Sequence, residues 1–442
     1  MIFSKSDLKK LIIPLMIEQA LVLTVGMIDT VMVASAGEAA VSGVSLVETI
    51  NVLLINLFAA LSTGGAIVAG QYLGRKDKKN ANHAAKQLVI STALISFVLM
   101  IFCLLLNRPL LSLVFGQTEQ EVMSHARTYF YMTALSYPFI AVYNSAAALF
   151  RSMGSTKIAM VNSLIVNVLN IIGNAIFIYG FQLSVFGAAL STLISRSIGA
   201  FMMMYMLRNE KLSLYVRSFH RKDFDWSMIK RILRIGIPNG LENSMFQIGK
   251  IVVTSLVAGM GTVAIAAHAV GNSFAGIEVI PGFSMGLALT TVISRCVGAN
   301  EYEQANKYIK YLMKWAFIFM ILLNAVILIF LKPIVGIYNL SDQTAALAYI
   351  IMAIHGVGSM VIWPFSFTLP NAFRAAGDVK YAMVVSILSM WIFRIGGSYV
   401  LARYTDLGVL SIWVSMMFDW VIRSIFYIYR WLSGKWKVSV LN

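Results

Sequence analysis

The sequence predicts an all-α integral membrane protein of twelve transmembrane helices, arranged as two pseudo-symmetric six-helix lobes. Three observations carry that expectation. Hydrophobic residues make up 59% of the 442 and charged residues only 12%, with a mean hydropathy of +0.78; the charged fraction of a soluble domain is about 25%. Apolar runs long enough to cross a bilayer recur along the whole chain. The second half also repeats the first at a constant offset.

In chain order the runs lie at 11–34, 47–73, 86–106, 127–150, 157–180, 185–207, 232–259, 271–294, 311–331, 345–373, 380–402 and 407–431. Their connections alternate in charge. The Lys/Arg-rich set comprises the N-terminus with Lys5, Lys9 and Lys10, then Arg75 to Lys79, Arg151 to Lys157, Arg208 to Arg234, Arg295 to Lys314, Arg374 to Lys380 and the C-terminal tail. That set with its margins, which include Lys86 and Arg430, holds 27 of the 35 Lys and Arg residues. Such one-sided bias places it in the cytoplasm, so both termini are expected to be cytoplasmic and the chain to sit in the inner membrane. The formal charge of +16 then reflects a membrane-facing surface, not nucleic acid, because no soluble domain exists to carry a basic groove. Ala34-Ser35-Ala36 resembles a signal-peptidase site, but the run before it is too long and carries two acids, so the first helix is expected to remain. Cys103 and Cys296 lie in different runs without ligand-type spacing, which predicts neither a zinc site nor a disulfide framework.

The basic stretch after run six divides the chain into a first lobe (1–207), a linker (208–231) and a second lobe (232–442). Across it the sequence repeats at an offset of 224. Pro14 and Glu18 fall on Pro238 and Glu242, Gly74 on Gly298, and Ala81-Asn82 on Ala305-Asn306; after one deletion, Phe150-Arg151 and Gly154 fall on Phe373-Arg374 and Gly377. An offset of six helices preserves membrane orientation, so the lobes are parallel repeats about an axis along the membrane normal. That is an architecture of alternating-access carriers.

A carboxylate at the centre of a spanning helix costs about 2.5–3.5 kcal/mol on insertion scales and marks a cavity or a partner. The first run carries two, Glu18 and Asp29. Glu18 has a twin in Glu242, one turn beyond a matched proline, and reads as architecture. Asp29 has Val253 at its repeat position and reads as chemistry. On the fifth span Ser163, Asn167, Asn170 and Asn174 share one face. Counting residues from each end puts Asn170, Asn174 and Thr192 of the sixth span at the depth of Asp29. One carboxylate, two carboxamides and a hydroxyl make an oxygen-rich set suited to Na⁺ or a proton, with Asp29 the expected Na⁺ ligand. The alternative for the asparagines is interhelical hydrogen bonding. In the second lobe Glu242, Lys250 and Glu278 are the polar candidates. Lys250 and Glu278 share a depth and are expected to pair, in a structural or a proton-coupling role. Arg196 and Arg394 are expected to find partners within their own lobes, and Asp419 and Arg423 to pair at i,i+4. His268 and His355 read as isolated interior residues. Pro281, Pro364 and Pro370 predict bends. The 25 methionines suit either lipid-facing packing or an adaptable cleft.

No phosphate-cradling GxxxxGK[ST] loop and no Ser/His/Asp constellation occur, so the expectation is no enzyme, no bound cofactor, and an ion gradient as the energy source. The residues at PLMIEQALVLTVGMIDTVMVA (14–34), GQYLGRKD (70–77), LFRSMGSTK (149–157), NIIGNAIFIYGF (170–181), GAALST (187–192) and AFRAAGDVK (372–380) resemble the multidrug and toxic compound extrusion (MATE) family, in its NorM- and DinF-like bacterial branch. The resemblance spans essentially the whole chain. It implies antiport of drugs or organic cations against Na⁺ or H⁺. It further implies that Asp29 is the helix-one acid of a first-lobe cation site, with Asn170 and Thr192 as partners. The chain departs from the family at Asn174, where an aspartate is common, and lacks the tenth-helix acid of NorM-like members. The expected partners are small-molecule drugs or organic cations, the coupling ion and the bilayer, for a monomeric chain. A lipid-linked precursor flippase and an exporter of an endogenous metabolite are the alternatives.

Overall fold

A computed structural model describes residues 2–116, 119–217 and 224–441, apart from the side chains of residues 25, 27 and 30. Residues 218–223 of the expected linker lie outside that set. The chain divides into two compact units, Lys5–Gly240 and Leu241–Asn442 with Met1–Ser4.

The first unit contains α1 (Lys5–Ala34), α2 (Glu38–Gly74), α3 (Lys78–Leu105), the short α4 (Asn107–Phe115), α5 (Gln120–Leu135), α6 (Tyr137–Ser152), α7 (Thr156–Asn174) with a π-helical continuation Ala175–Gly180, α8 (Ser184–Leu207) and the start of α9 (Trp226–Ala258). The second unit takes the rest of α9 and then α10 (Thr262–Glu278), α11 (Ile280–Gly298), α12 (Tyr302–Ile329), α13 (Leu331–Gly336), α14 (Asp342–Val361), α15 (Pro370–Ala376), α16 (Val379–Ser389), α17 (Gly397–Tyr404) and α18 (Leu410–Leu432). π-Helical turns at Pro364–Thr368 and Met390–Gly396 join α14 to α15 and α16 to α17.

Each apolar run lies in helical structure, and nine helices among the described residues are long and apolar enough to cross a membrane. The runs at 11–34, 127–150 and 232–259 are helical too, the second interrupted at Ser136 ahead of Pro138. α2 and α10 begin nine residues before the runs at 47 and 271, since hydropathy marks the apolar stretch and not the first polar turns. α9 starts at Trp226, inside the stretch read as linker. The bends fall where proline removes a backbone donor: Val279 interrupts α10 and α11 ahead of Pro281, and Pro364 opens a π-turn.

Turn geometry repeats with the sequence. Gly37 (φ 104°) opens α2 and Gly261 (φ 91°) opens α10; Lys76 and Asn300 both take φ 60°, just ahead of α3 and α12. Each pair is separated by the offset read from the sequence, and a left-handed residue there is demanded by the same tight turn in both halves.

Large apolar side chains point outward along α3, with Leu94, Phe97, Val98 and Ile101 exposed on one helical stripe, as lipid contact requires. The interior also carries small hydroxyl side chains among its apolar ones. Ser145 of α6 bridges Ser62 of α2 (3.1 Å) and Thr92 of α3 (2.8 Å), the kind of interhelical bonding that substitutes for a hydrophobic driving force in lipid. Gly64 lets α2 approach α9: a β-carbon there would lie 2.8 Å from the backbone nitrogen of Gly236. Because the obstacle is backbone, Gly64→Ala is expected to destabilise the protein by about 1–3 kcal/mol. A lowered melting temperature of the purified chain in detergent checks this.

Candidate functional site

α7 packs against both α1 and α8, and the polar positions of all three helices meet. Asp29 of α1 is half-buried, while Asn170 and Asn174 of α7 are 6% and 2% exposed. Asn174 donates its Nδ2 proton to Asp29 Oδ1 at 2.8 Å. The Asn170 carboxamide faces the same carboxylate; with its nitrogen inward it donates to Oδ1 at 2.7 Å and Oδ2 at 3.1 Å. With the amide turned the other way, its nitrogen reaches Thr192 Oγ1 of α8 at 3.3 Å. Amide orientation follows the hydrogen-bond network, and here the network accepts both ends. Asn174 Oδ1 is buried without a partner among the described residues, directly where α7 passes into its π-helical turn, a local irregularity common at functional positions.

The four first-lobe residues singled out from sequence therefore stand together. Ser191 joins them unforeseen, donating to the Asn170 backbone carbonyl at 2.7 Å; a serine beside Thr192 gives no one-dimensional signal. A second polar group in this lobe was also missed. Glu48 of α2 accepts from Tyr129 Oη at 2.8 Å and from Asn51 Nδ2 at 2.9 Å, and Tyr137 Oη donates to Asn51 at 2.8 Å. An acid at the margin of the apolar run from 47 was the available signal. Arg196 donates to Ser136 Oγ at 2.8 Å.

The repeated glutamates are both tied to repeated arginines. Glu18 accepts from Arg151 at 2.9 Å, and Glu242 from Arg374 at 2.5 and 3.3 Å and from Ser386 Oγ at 2.6 Å. Asp419 and Arg423 pair at 2.7 Å, and Arg423 lies over the Phe367 ring at 5.0 Å. Arg394 stands over Phe246 at 5.4 Å. Neither Arg196 nor Arg394 has a carboxylate at ion-pair distance among the described residues.

The expected Lys250–Glu278 pair does not form. Glu278 is buried and bonds His355 Nδ1 of α14, while Lys250 is exposed on α9. Shared depth fixes one coordinate of a side chain; the direction it takes around the helix axis fixes the other, and these two diverge. His355 is accordingly not isolated: it packs edge-on against Trp413 and Trp420. Glu278 Oε1 already has no partner among the described residues. His355→Leu is therefore expected to cost about 1–3 kcal/mol by stranding a buried acceptor, read as a lowered unfolding midpoint in a denaturant titration.

Among the described residues no three His, Cys, Asp or Glu side chains cluster as a metal centre; the donors around Asp29 are carboxamide and hydroxyl oxygens, a set suited to hard cations.

Comparison with known proteins gives the same architecture. The MatE family profile matches residues 14–176 and again 238–400, two stretches separated by the internal repeat offset. The probable multidrug resistance protein NorM of Thermotoga maritima is 26% identical over 98% of this chain and 93% of its own length. The uncharacterized transporter YisQ of Bacillus subtilis is 26% identical over 96% of this chain and 93% of its own. A crystal structure of MATE in the bent conformation superposes with a TM-score of 0.87 at 22% identity, covering 98% of this chain and 94% of that one. With both of its halves matched and the same fold throughout, the chain belongs to the MatE family of membrane transporters.

Proposed function

We propose that the chain is a secondary active exporter of drugs or other small organic cations in the inner membrane, with both termini cytoplasmic, exchanging its substrate for Na⁺ or H⁺ by alternating access. The observation that carries this reading is the carboxylate of Asp29 inside the first lobe, ringed by Asn170 and Asn174 and reached by Thr192 through Asn170. A carboxylate so placed is held by amide protons when bare. Once a proton or Na⁺ arrives, the carboxamides can turn and offer Oδ1 atoms, so the same residues stabilise both states. With one carboxylate in the set, one positive charge neutralises it. An ion that binds one conformation better than the other shifts the equilibrium between them by its differential affinity, and two parallel repeats supply the bodies that rock.

The relatives described as multidrug resistance proteins support drug-like cargo. Arg423, neutralised by Asp419, lends no support to a flippase for lipid-linked anions.

The test is efflux of a fluorescent organic cation from proteoliposomes under a Na⁺ gradient, and separately under a pH gradient. One of them is expected to drive transport; dye movement indifferent to both would overturn the reading. In the driving ion's assay, Asn174→Ala and Thr192→Val are each expected to raise the half-saturating ion concentration about tenfold, the loss of about 1.4 kcal/mol of binding.

A further inference from the structure

Two further charges stand half-buried inside the first lobe, Glu48 of α2 and Arg196 of α8. Glu48 Oε1 accepts from Tyr129 Oη of α5 at 2.8 Å and from Asn51 Nδ2 at 2.9 Å, and Asn51 Oδ1 accepts from Tyr137 Oη of α6 at 2.8 Å. Arg196 Nη1 donates to Ser136 Oγ at 2.8 Å, at the break between α5 and α6. Asn51, Tyr129, Ser136 and Tyr137 are all buried. Arg196 also lies one turn beyond Thr192 on the same face of α8, and Thr192 is the hydroxyl that reaches Asn170. Glu48 and Arg196 thus meet the same α5–α6 corner, and Arg196 continues the helix face that serves Asp29.

Charges inside a lobe act on one another over longer distances than in water, because little solvent screens them. Glu48 repels the charge of Asp29 and Arg196 attracts it, and both act on Tyr129 as well. A further titratable neighbour is Cys103 of α3, beside Tyr137, and α7 contributes the carboxamides of Asn170 and Asn174. Both bonds to Glu48 Oε1 are acceptances, which suits a bare carboxylate. With Asp29 and Glu48 ionised, the cluster holds two negative charges against the one positive charge of Arg196. Unbalanced charge is what costs most inside a membrane. Arg196 offsets one carboxylate, and a single cation at Asp29 offsets the other.

We propose that Glu48 and Arg196 are positioning charges of the cation site: held as an opposed pair on the α5–α6 corner, they fix the residual charge of the lobe at one negative and so set its affinity for one Na⁺ or H⁺ at Asp29. Neither touches the ion; each acts on it through the field at Asp29. The inference rests on the reading of Asp29 as the coupling carboxylate. Glu48 strengthens cation binding and Arg196 weakens it. Removing either charge therefore shifts the affinity in opposite directions, while removing both leaves it near its starting point.

The test is the half-saturating concentration of the driving ion in proteoliposome efflux, compared between the parent and charge-removing variants of the full chain. Glu48→Gln, which keeps an oxygen for Tyr129 and Asn51, is expected to raise it about tenfold, and Arg196→Gln to lower it about tenfold, the effect of one unit charge in a poorly screened interior. Glu48→Gln/Arg196→Gln is expected to return to within about threefold of the parent, and the charge-keeping Glu48→Asp and Arg196→Lys to stay there too. A brace made of hydrogen bonds alone gives neither the opposite signs nor the recovery. Single variants that shift in the same direction, a double variant worse than either single, or no shift at all overturn the proposal. Should Arg196→Gln not fold, Glu48→Gln against Glu48→Asp decides, and equal values overturn it. Asp29→Asn is measured beside them. If it abolishes gradient-driven efflux while Glu48→Gln leaves the half-saturating concentration unchanged, this inference fails and the coupling role of Asp29 stands; parental efflux from Asp29→Asn overturns both.

Discussion

Asp29→Asn is expected to reduce gradient-driven efflux of an organic cation from proteoliposomes to the protein-free background, a loss of at least about a hundredfold, while the melting temperature stays within a few degrees of the parent. The two halves of this expectation have separate causes. The substituted amide keeps an oxygen for the Asn174 donor at 2.8 Å, so packing between α1 and α7 survives. It carries no charge and no titratable proton, so neither Na⁺ nor H⁺ gains differential affinity for one conformation; a ligand without that difference shifts no equilibrium, whatever its gradient. Asp29→Glu restores the charge on a longer side chain and is expected to recover part of the rate. Efflux at the parental rate from Asp29→Asn, in whichever gradient drives the parent, would show that the carboxylate does not couple.

Arg374→Met is expected to destabilise the second lobe by about 3–5 kcal/mol, the cost of leaving one partner of a buried ion pair uncompensated. Glu242 has a side chain only 9% exposed and receives two bonds from that guanidinium. The double variant Glu242→Gln/Arg374→Met removes the stranded charge and should recover most of the loss, Ser386 still meeting the amide. Arg151→Met should behave in parallel in the first lobe, where Glu18 is equally buried. Unfolding midpoints in a denaturant titration read all three. A single variant no less stable than the double would contradict the assignment of these pairs to architecture.

The helical spans, their bends and the twofold repeat were legible because each leaves a one-dimensional trace. Apolar runs record the bilayer, Pro281 and Pro364 record lost backbone donors, and the matched Pro14/Pro238 and Gly74/Gly298 record the repeat, which the left-handed turns at Gly37 and Gly261 then extend in the structure. The convergence of Asp29 with Asn170, Asn174 and Thr192 was also legible, since depth along a helix follows from counting at a fixed rise and the asparagines share one face. Ser191 and Glu48 escaped because a serine in a helix and an acid at the margin of a run are unremarkable as letters.

Charge pairing within one helix was legible, as Asp419 and Arg423 show, but pairing between helices was not. Glu278 meets His355 and not Lys250, across 77 residues of chain, and Glu18 meets Arg151 across 133. The letters alone establish where along the membrane normal a buried group sits, because hydropathy and loop charge measure that axis. Which neighbour it faces depends on the rotation of each helix about its own axis and on which helices pack side by side, and those are settled only when the whole lobe closes around its buried charges.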